Sequence, residues 1–226
     1  MQYEENPFET ERVAKEWIGS VEGEDGMFRD KIIYPLLKDW ANQNDGGTIL
    51  EIGSGQGVCS DKLELATGRY VGIEPSQHLT QRAKDLYGDE KREFVVGNAY
   101  DLPLADGVID SAFSVNVWFH LGDLESASGE LSRVLKNGGR FLIITANPDS
   151  YETWQSLFDD PTVEDGKVIG KVNTPVTPLS KNIFYTHSLE KIKASLEQAG
   201  LVVEEIKELK DENLEALFIA IKGKKK

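Results

Sequence analysis

The stretch ILEIGSGQG, Ile49 to Gly57, decides the fold. Together with Thr48 its first half is apolar and β-rich, and it reads as a strand, Thr48–Ile52. Gly53-Ser54-Gly55-Gln56-Gly57 reads as a turn, and Val58 to Ala66 as a helix. Glycines let the backbone take positive φ and approach a ligand closely, since no Cβ intervenes. A helix behind such a turn offers free N–H groups and a positive dipole end, which suits a carboxylate. A bare tight turn would also use glycine; the strand before and the helix after favour the ligand. The dinucleotide fingerprint G-x-G-x-x-G needs glycine at the next position, where Val58 stands, so a nicotinamide ligand is disfavoured.

Outward from this loop, strands alternate with helices. Strands are expected at Tyr70–Glu74, Glu93–Val96, Ile109–Ser114 and Arg140–Thr145, the last with FLII apolar on both faces. Helices are expected at Gln77–Tyr87, capped by Ser76, and at Leu124–Leu135, ended by Asn137-Gly138-Gly139. Ser188 caps a helix to Gln198, and Leu201–Leu209 and Leu214–Ile221 form an antiparallel pair joined by a polar turn, Lys210–Asn213. Residues 1–44 read as a helical cap. Thr10 caps a first helix toward Ile18, and Phe28–Asn42 forms a second that Pro35 begins or kinks, before NDGG (Asn44–Gly47) breaks the chain. Residues 147–185 break the rhythm with Pro148, Pro161, Pro175 and Pro178, and read as an inserted, lid-like segment. The expected architecture is a single α/β domain over residues 1–226. It is a doubly wound, mostly parallel, seven-stranded sheet (Rossmann-like) with an antiparallel C-terminal edge strand.

The run Gly53–Gly57 preceded by Glu51 resembles motif I of class I methyltransferases dependent on S-adenosylmethionine (SAM). Glu74, in YVGIEPS, ends strand two beside Pro75, and an ionised carboxylate there has lone pairs for both ribose hydroxyls. In GNAYDLPLADGVID the resemblance places Asn98-Ala99 against adenine, where Asp-Ala is the commoner pair; Asp101 reads alternatively as a turn cap. SVNVWFHLGDLESASGELSRVLKNGGRFLII, Ser114 to Ile144, is similar to the matching unit of enzymes of the ubiquinone- and sterol-methylating type.

What the resemblance implies is SAM as cofactor, held by Glu51, Gly53, Ser54, Gly55, Gly57, Glu74, Pro75, Asn98, Ala99, Ser114 and Asn116. The loop after strand four then faces a small-molecule acceptor, with Trp118, His120 and Trp154 beside it. His120 reads either as a general base or as a structural histidine that holds its loop by a hydrogen bond. His187 reads as opening a helix, and Cys59 as a packing residue rather than a reactive thiol. None of these motifs reports the acceptor.

Composition narrows the alternatives. The chain has 226 residues, 39% apolar and 28% charged, enough for one domain with a sizeable core. Its 25 basic and 39 acidic side chains give a net charge of −14, a field that disfavours nucleic acid as partner. The basic run Lys222–Lys226 reads as a solvated tail. No apolar run reaches membrane length, the acidic MQYEENPFETER does not read as a signal peptide, and one cysteine allows no intrachain disulfide. A cytoplasmic enzyme without a metal site is the expectation, since no Cys/His cluster has ligand spacing.

Overall fold

Successive residues of the central strands leave opposite faces, and both faces are covered. Leu50, Phe141 and Ile143 enter one apolar cluster with Leu131 and Leu196; Ile49, Leu142 and Ile144 enter another with Leu37, Trp40 and Ala83. The computed structural model describes residues 6–22, 28–43, 46–63, 68–172, 179–210 and 215–226.

The strands of the main sheet are β1 (Thr48–Ile52), β2 (Arg69–Glu74), β3 (Arg92–Val96), β4 (Ile109–Val115), β5 (Leu135–Ala146), β9 (Leu201–Leu209) and β10 (Phe218–Lys225). Their order is β3-β2-β1-β4-β5-β10-β9. The first five run parallel, and β10 runs antiparallel to both β5 and β9. The C-terminal strand therefore sits one place in from the edge that β9 forms. One face carries α5 (Leu124–Val134) and α7 (Leu189–Gln198). The other carries α2 (Tyr34–Ala41), α3 (Val58–Lys62) and α4 (Gln77–Tyr87).

The caps fall where the sequence puts them. Ser76 Oγ accepts from Leu79 N at 3.4 Å, Ser188 Oγ from Lys191 N at 3.2 Å, and Thr10 Oγ1 from Val13 N at 3.4 Å, the last opening α1 (Glu11–Glu22).

Several boundaries differ from expectation. The helix foreseen over Phe28–Asn42 is a π-helical turn, Arg29–Ile33, running into α2. Pro35 has no N–H to donate, so the turn ahead of it cannot keep regular α-helical bonding. Lys222–Lys225 is no tail: it lies in β10, where Lys222 Nζ meets Glu205 at 3.1 Å and Lys224 pairs with Glu204. The described part of residues 147–185 holds α6 (Tyr151–Ser156) and a second, antiparallel sheet of β6 (Phe158–Glu164), β7 (Lys167–Val172) and β8 (Leu179–Tyr185). Phe158, Val168, Val172 and Phe184 of this sheet pack with Phe119 and Ala146 as a third apolar cluster. Pro175, Pro178, the end of the helix foreseen to Ala66, Asn44 and most of the Lys210–Asn213 turn lie outside the described residues.

Candidate active site

Because β1 to β4 run parallel, Ile52, Glu74 and Val115 finish at one end of the sheet. Between β1 and β4 the chain reverses its winding, which opens a crevice at those tips. A cavity of about 400 Å³ lies there, within the range of small-molecule sites.

The glycine loop forms its floor. Gly55 has φ +52°, and a Cβ added there would meet, within 4 Å, the Trp17 indole nitrogen at 3.5 Å. Gly53 has φ +77°, and a Cβ there would run into Val117. Gly57 serves packing instead, since its Cβ would press on Ala83 and Phe94 at 3.0 Å.

Glu74 is buried at the tip of β2. Its Oε2 accepts from Gly55 N at 3.1 Å and its Oε1 from Ser76 N at 2.9 Å. Burial pushes its carboxyl up to about 7, opposed by those two bonds. Pro75, Leu79, Asn98 and Ala99 continue the wall. Asn98 lines the cavity with its side-chain oxygen already engaged. Its Oδ1 already accepts from Tyr100 N at 2.8 Å and Asp101 N at 3.0 Å, so both lone pairs are spent on its own turn.

Asn116 directly follows β4 at φ +60°, an uncommon conformation for a residue other than glycine. Its Oδ1 is buried and has no hydrogen-bond partner, as is Ser54 Oγ. Glu51 lies below the loop, buried, with the Tyr70 hydroxyl donating to its Oε2. Burial raises its carboxyl to about 8. Cys59 beside it is raised well above the usual thiol range, by burial first and then by Glu51, which makes it an inert thiol. Glu51, Ser54 and Asn116 line a smaller chamber of about 60 Å³ that shares Trp17, Gly53 and Gly55 with the main cavity.

The far wall brings together Asn6, Phe8, Trp17, His120, Leu121 and Ile183. His120 Nδ1 lies 2.6 Å from Ile183 O, so that nitrogen carries the proton and Nε2 is the acceptor. Burial lowers its pKa to about 4, which keeps the ring neutral. Phe8 meets it edge-on at 5.9 Å.

Besides Gly57, three expected site residues stand apart from both spaces. Ser114 is buried within β4, and Trp118 is buried in the core cluster with Leu50 and Phe141. Trp154 donates to Leu217 O at 3.0 Å and stacks on Phe184. His187 does more than open α7: its Nε2 lies 2.6 Å from Leu121 O. Asn6, Phe8, Trp17 and Ile183 enter from segments far from the loop in sequence, with no local motif to announce them.

A family model described as a methyltransferase domain matches residues 50–143. An uncharacterized methyltransferase of Anoxybacillus flavithermus is 30% identical over 148 residues, 63% of this chain and 69% of that protein. An O-methyltransferase of Aspergillus nomiae is 29% identical over 133 residues, 54% of this chain and 59% of that protein. The crystal structure of an S-adenosylmethionine-dependent methyltransferase from Clostridium acetobutylicum shares the fold, with a TM-score of 0.72 at 15% identity over 93% of this chain and 98% of that one. The chain spans 37%, 59% and 51% of the lengths of three curated relatives it matches.

Proposed function

The chain belongs to the family of SAM-dependent methyltransferases, and from that premise we propose that it moves the methyl group of SAM to a small-molecule acceptor. The observation that carries this reading is a single cavity with two unlike walls. One wall is the glycine loop, Glu74, Ala99 and Asn116; the other is Phe8, Trp17, His120 and Ile183.

The first wall fits an adenosyl amino acid. Each oxygen of Glu74 has spent one lone pair on a backbone N–H, which leaves one each for a ribose diol. Gly55 leaves room for close approach, and Asn116 Oδ1 waits for a donor. Ile52, Ile73 and Leu79 supply apolar surface for a flat base. With Asn98 Oδ1 committed elsewhere, the backbone of Ala99 and the Asn98 amide nitrogen are the polar groups left for its edge.

Bound there, the sulfonium supplies a methyl group already activated for displacement. The chain has then to hold donor and acceptor in line, an effect worth on the order of 7–11 kcal/mol. Glu74 fixes the sugar, and Phe8 and Trp17 exclude water from above. His120 contributes a fixed acceptor nitrogen: its Nδ1–H is tied to Ile183 O, so Nε2 orients an O–H or N–H of the acceptor. A ring with a pKa near 4 orients a hydroxyl without ionising it in advance. The similarity to an O-methyltransferase and the net charge of −14 both support a small molecule over RNA. Incubation with methyl-labelled SAM and a metabolite extract tests the reading. Label in a low-mass product supports it; label confined to protein or RNA, or none at all, contradicts it.

A further inference from the structure

Resting on the methyl-transfer reading above, we propose that the far wall of the cavity takes an uncharged, flat, hydroxylated acceptor and turns away acids, with Asn6 and His120 as the two polar groups that read it.

Charge sets the first limit. The main cavity is lined by the carboxylates of Glu9 and Glu74 and by no Lys or Arg among the described residues. His120 is held neutral by burial, so it adds no positive charge. The sulfonium of SAM would be the cation of the site, and an in-line displacement sets it against the reacting atom itself. A carboxylate or phosphate elsewhere on the acceptor would be buried beside two glutamates without a partner, in a chain of net −14. Repulsion of this kind rejects a wrong substrate as surely as a good contact selects the right one.

Shape sets the second limit. Trp17, Phe8 and His120 form a row of rings, with 5.3 Å between the first two centroids and 5.9 Å between the last two. Leu121 and Ile183 complete the wall. Such a row offers faces and edges to a flat apolar body.

Polar groups interrupt that surface at two points. Asn6 opens the 3-10 turn Pro7–Glu9, and its Oδ1 accepts from Phe8 N at 3.0 Å, which identifies the other amide atom as the nitrogen. That nitrogen, Nδ2, is buried and has no partner among the described residues. A buried donor left unpaired calls for an oxygen from outside the protein. Asn6 lines the cavity, so a carbonyl or ether oxygen of the acceptor can supply it. His120 Nε2, the accepting nitrogen, takes the hydroxyl proton in a hydrogen bond. Asn6, Phe8 and Trp17 all lie outside residues 50–143, the span matched by the family model.

Passing a metabolite extract at neutral pH through anion- and then cation-exchange resin leaves uncharged compounds in the flow-through and charged ones in the eluates. Each fraction is incubated with the protein and methyl-labelled SAM. Low-mass labelled product is expected from the flow-through, at least tenfold above either eluate. Equal or greater label from an eluate overturns the inference and leaves methyl transfer standing; label from no fraction overturns both. Asn6→Asp keeps an oxygen to accept from Phe8 N and replaces the amide donor with a carboxylate. Its transfer rate at limiting flow-through is expected to fall at least tenfold, with calorimetric affinity for S-adenosylhomocysteine within twofold of wild type. An unchanged rate, or a parallel loss of that affinity, overturns the role of Asn6. The wild-type fractions carry the test of the acceptor class even where the variant melts early.

Discussion

Glu74 carries two demands that pull against each other. As the proposed acceptor for a ribose it would have to be ionised, yet burial raises its carboxyl from an ordinary 4.5 to about 7. A group that binds its proton more tightly folded than unfolded weakens the fold as pH rises between those two values, and by a constant amount above them. At about 1.4 kcal/mol per pKa unit, the penalty grows by ~2 to 3 kcal/mol from pH 5 to pH 8. Thermal melts of the ligand-free protein and of Glu74→Gln check this. The variant's stability relative to wild type should improve by that amount between the two pH values, and a pH-independent difference contradicts the argument. The same residue sets a functional sign. On the proposed reading, cofactor affinity is expected to fall as pH drops below about 7, because the protonated carboxyl loses acceptor capacity; calorimetric titrations of S-adenosylhomocysteine at pH 6 and pH 8 check it, and equal affinities contradict it. Glu51, pushed up to about 8, adds a second contribution of the same direction to stability and is common to both proteins in the comparison.

At the scale of elements, the second sheet is tied to the main one by two histidines facing opposite ways. His120, after β4, reaches Ile183 O in β8, and His187, after β8, reaches Leu121 O in the loop after β4. Tyr151 of α6 adds a bond to His187 O at 2.6 Å. His187→Ala leaves Leu121 O without its buried partner, a loss of about 1–3 kcal/mol. Amide hydrogen exchange in β7 and β8 should quicken several-fold while β1 and β4 keep their protection. Uniform quickening across both sheets contradicts a local tie. This sheet was hard to read in the sequence for a physical reason. β6, FDDPTVE, is exposed along nearly its whole length, so it lacks the apolar alternation that marks a half-buried strand. β8 reads apolar at Ile183-Phe184-Tyr185, but its partners Phe119 and Trp154 are distant in sequence. The central strands β1, β2, β4 and the second half of β5 were legible because both of their faces are buried, and FLII in β5 shows it directly. α4 and α7 were legible because Ser76 and Ser188 cap locally.

For the whole molecule, the split between legible and hidden follows the cavity's two walls. The wall proposed for the cofactor is built from local strand-turn-helix units, and that Gly53, Gly55, Glu74, Pro75 and Asn116 gather at one cavity was readable from spacing and resemblance. The opposite wall, proposed for the acceptor, is assembled by folding. Asn6, Phe8 and Trp17 come from the N-terminus and His120 and Ile183 from beyond the loop. Trp118 and Trp154, chosen from sequence because they lie near the right loops, turn inward to the core and to the second sheet. Charge placement follows the same logic. Lys222 and Lys224 look like a free basic run, and folding spends them on glutamates of the neighbouring strand. No helix among the described residues is long and apolar enough to cross a membrane.

The central claim is that the turn after β1 presses bare backbone against an adenosyl ligand. Calorimetric titration of S-adenosylhomocysteine into the wild-type protein and into Gly55→Asp tests it most directly. Space around Gly55 is open enough for the fold to accept a side chain, and Asp tolerates positive φ better than most residues, so the variant should stay folded. Wild type is expected to show saturable one-site binding, and the variant a loss of at least a hundredfold. A folded Gly55→Asp protein that binds with unchanged affinity, or a wild type that gives no binding at millimolar ligand, contradicts it.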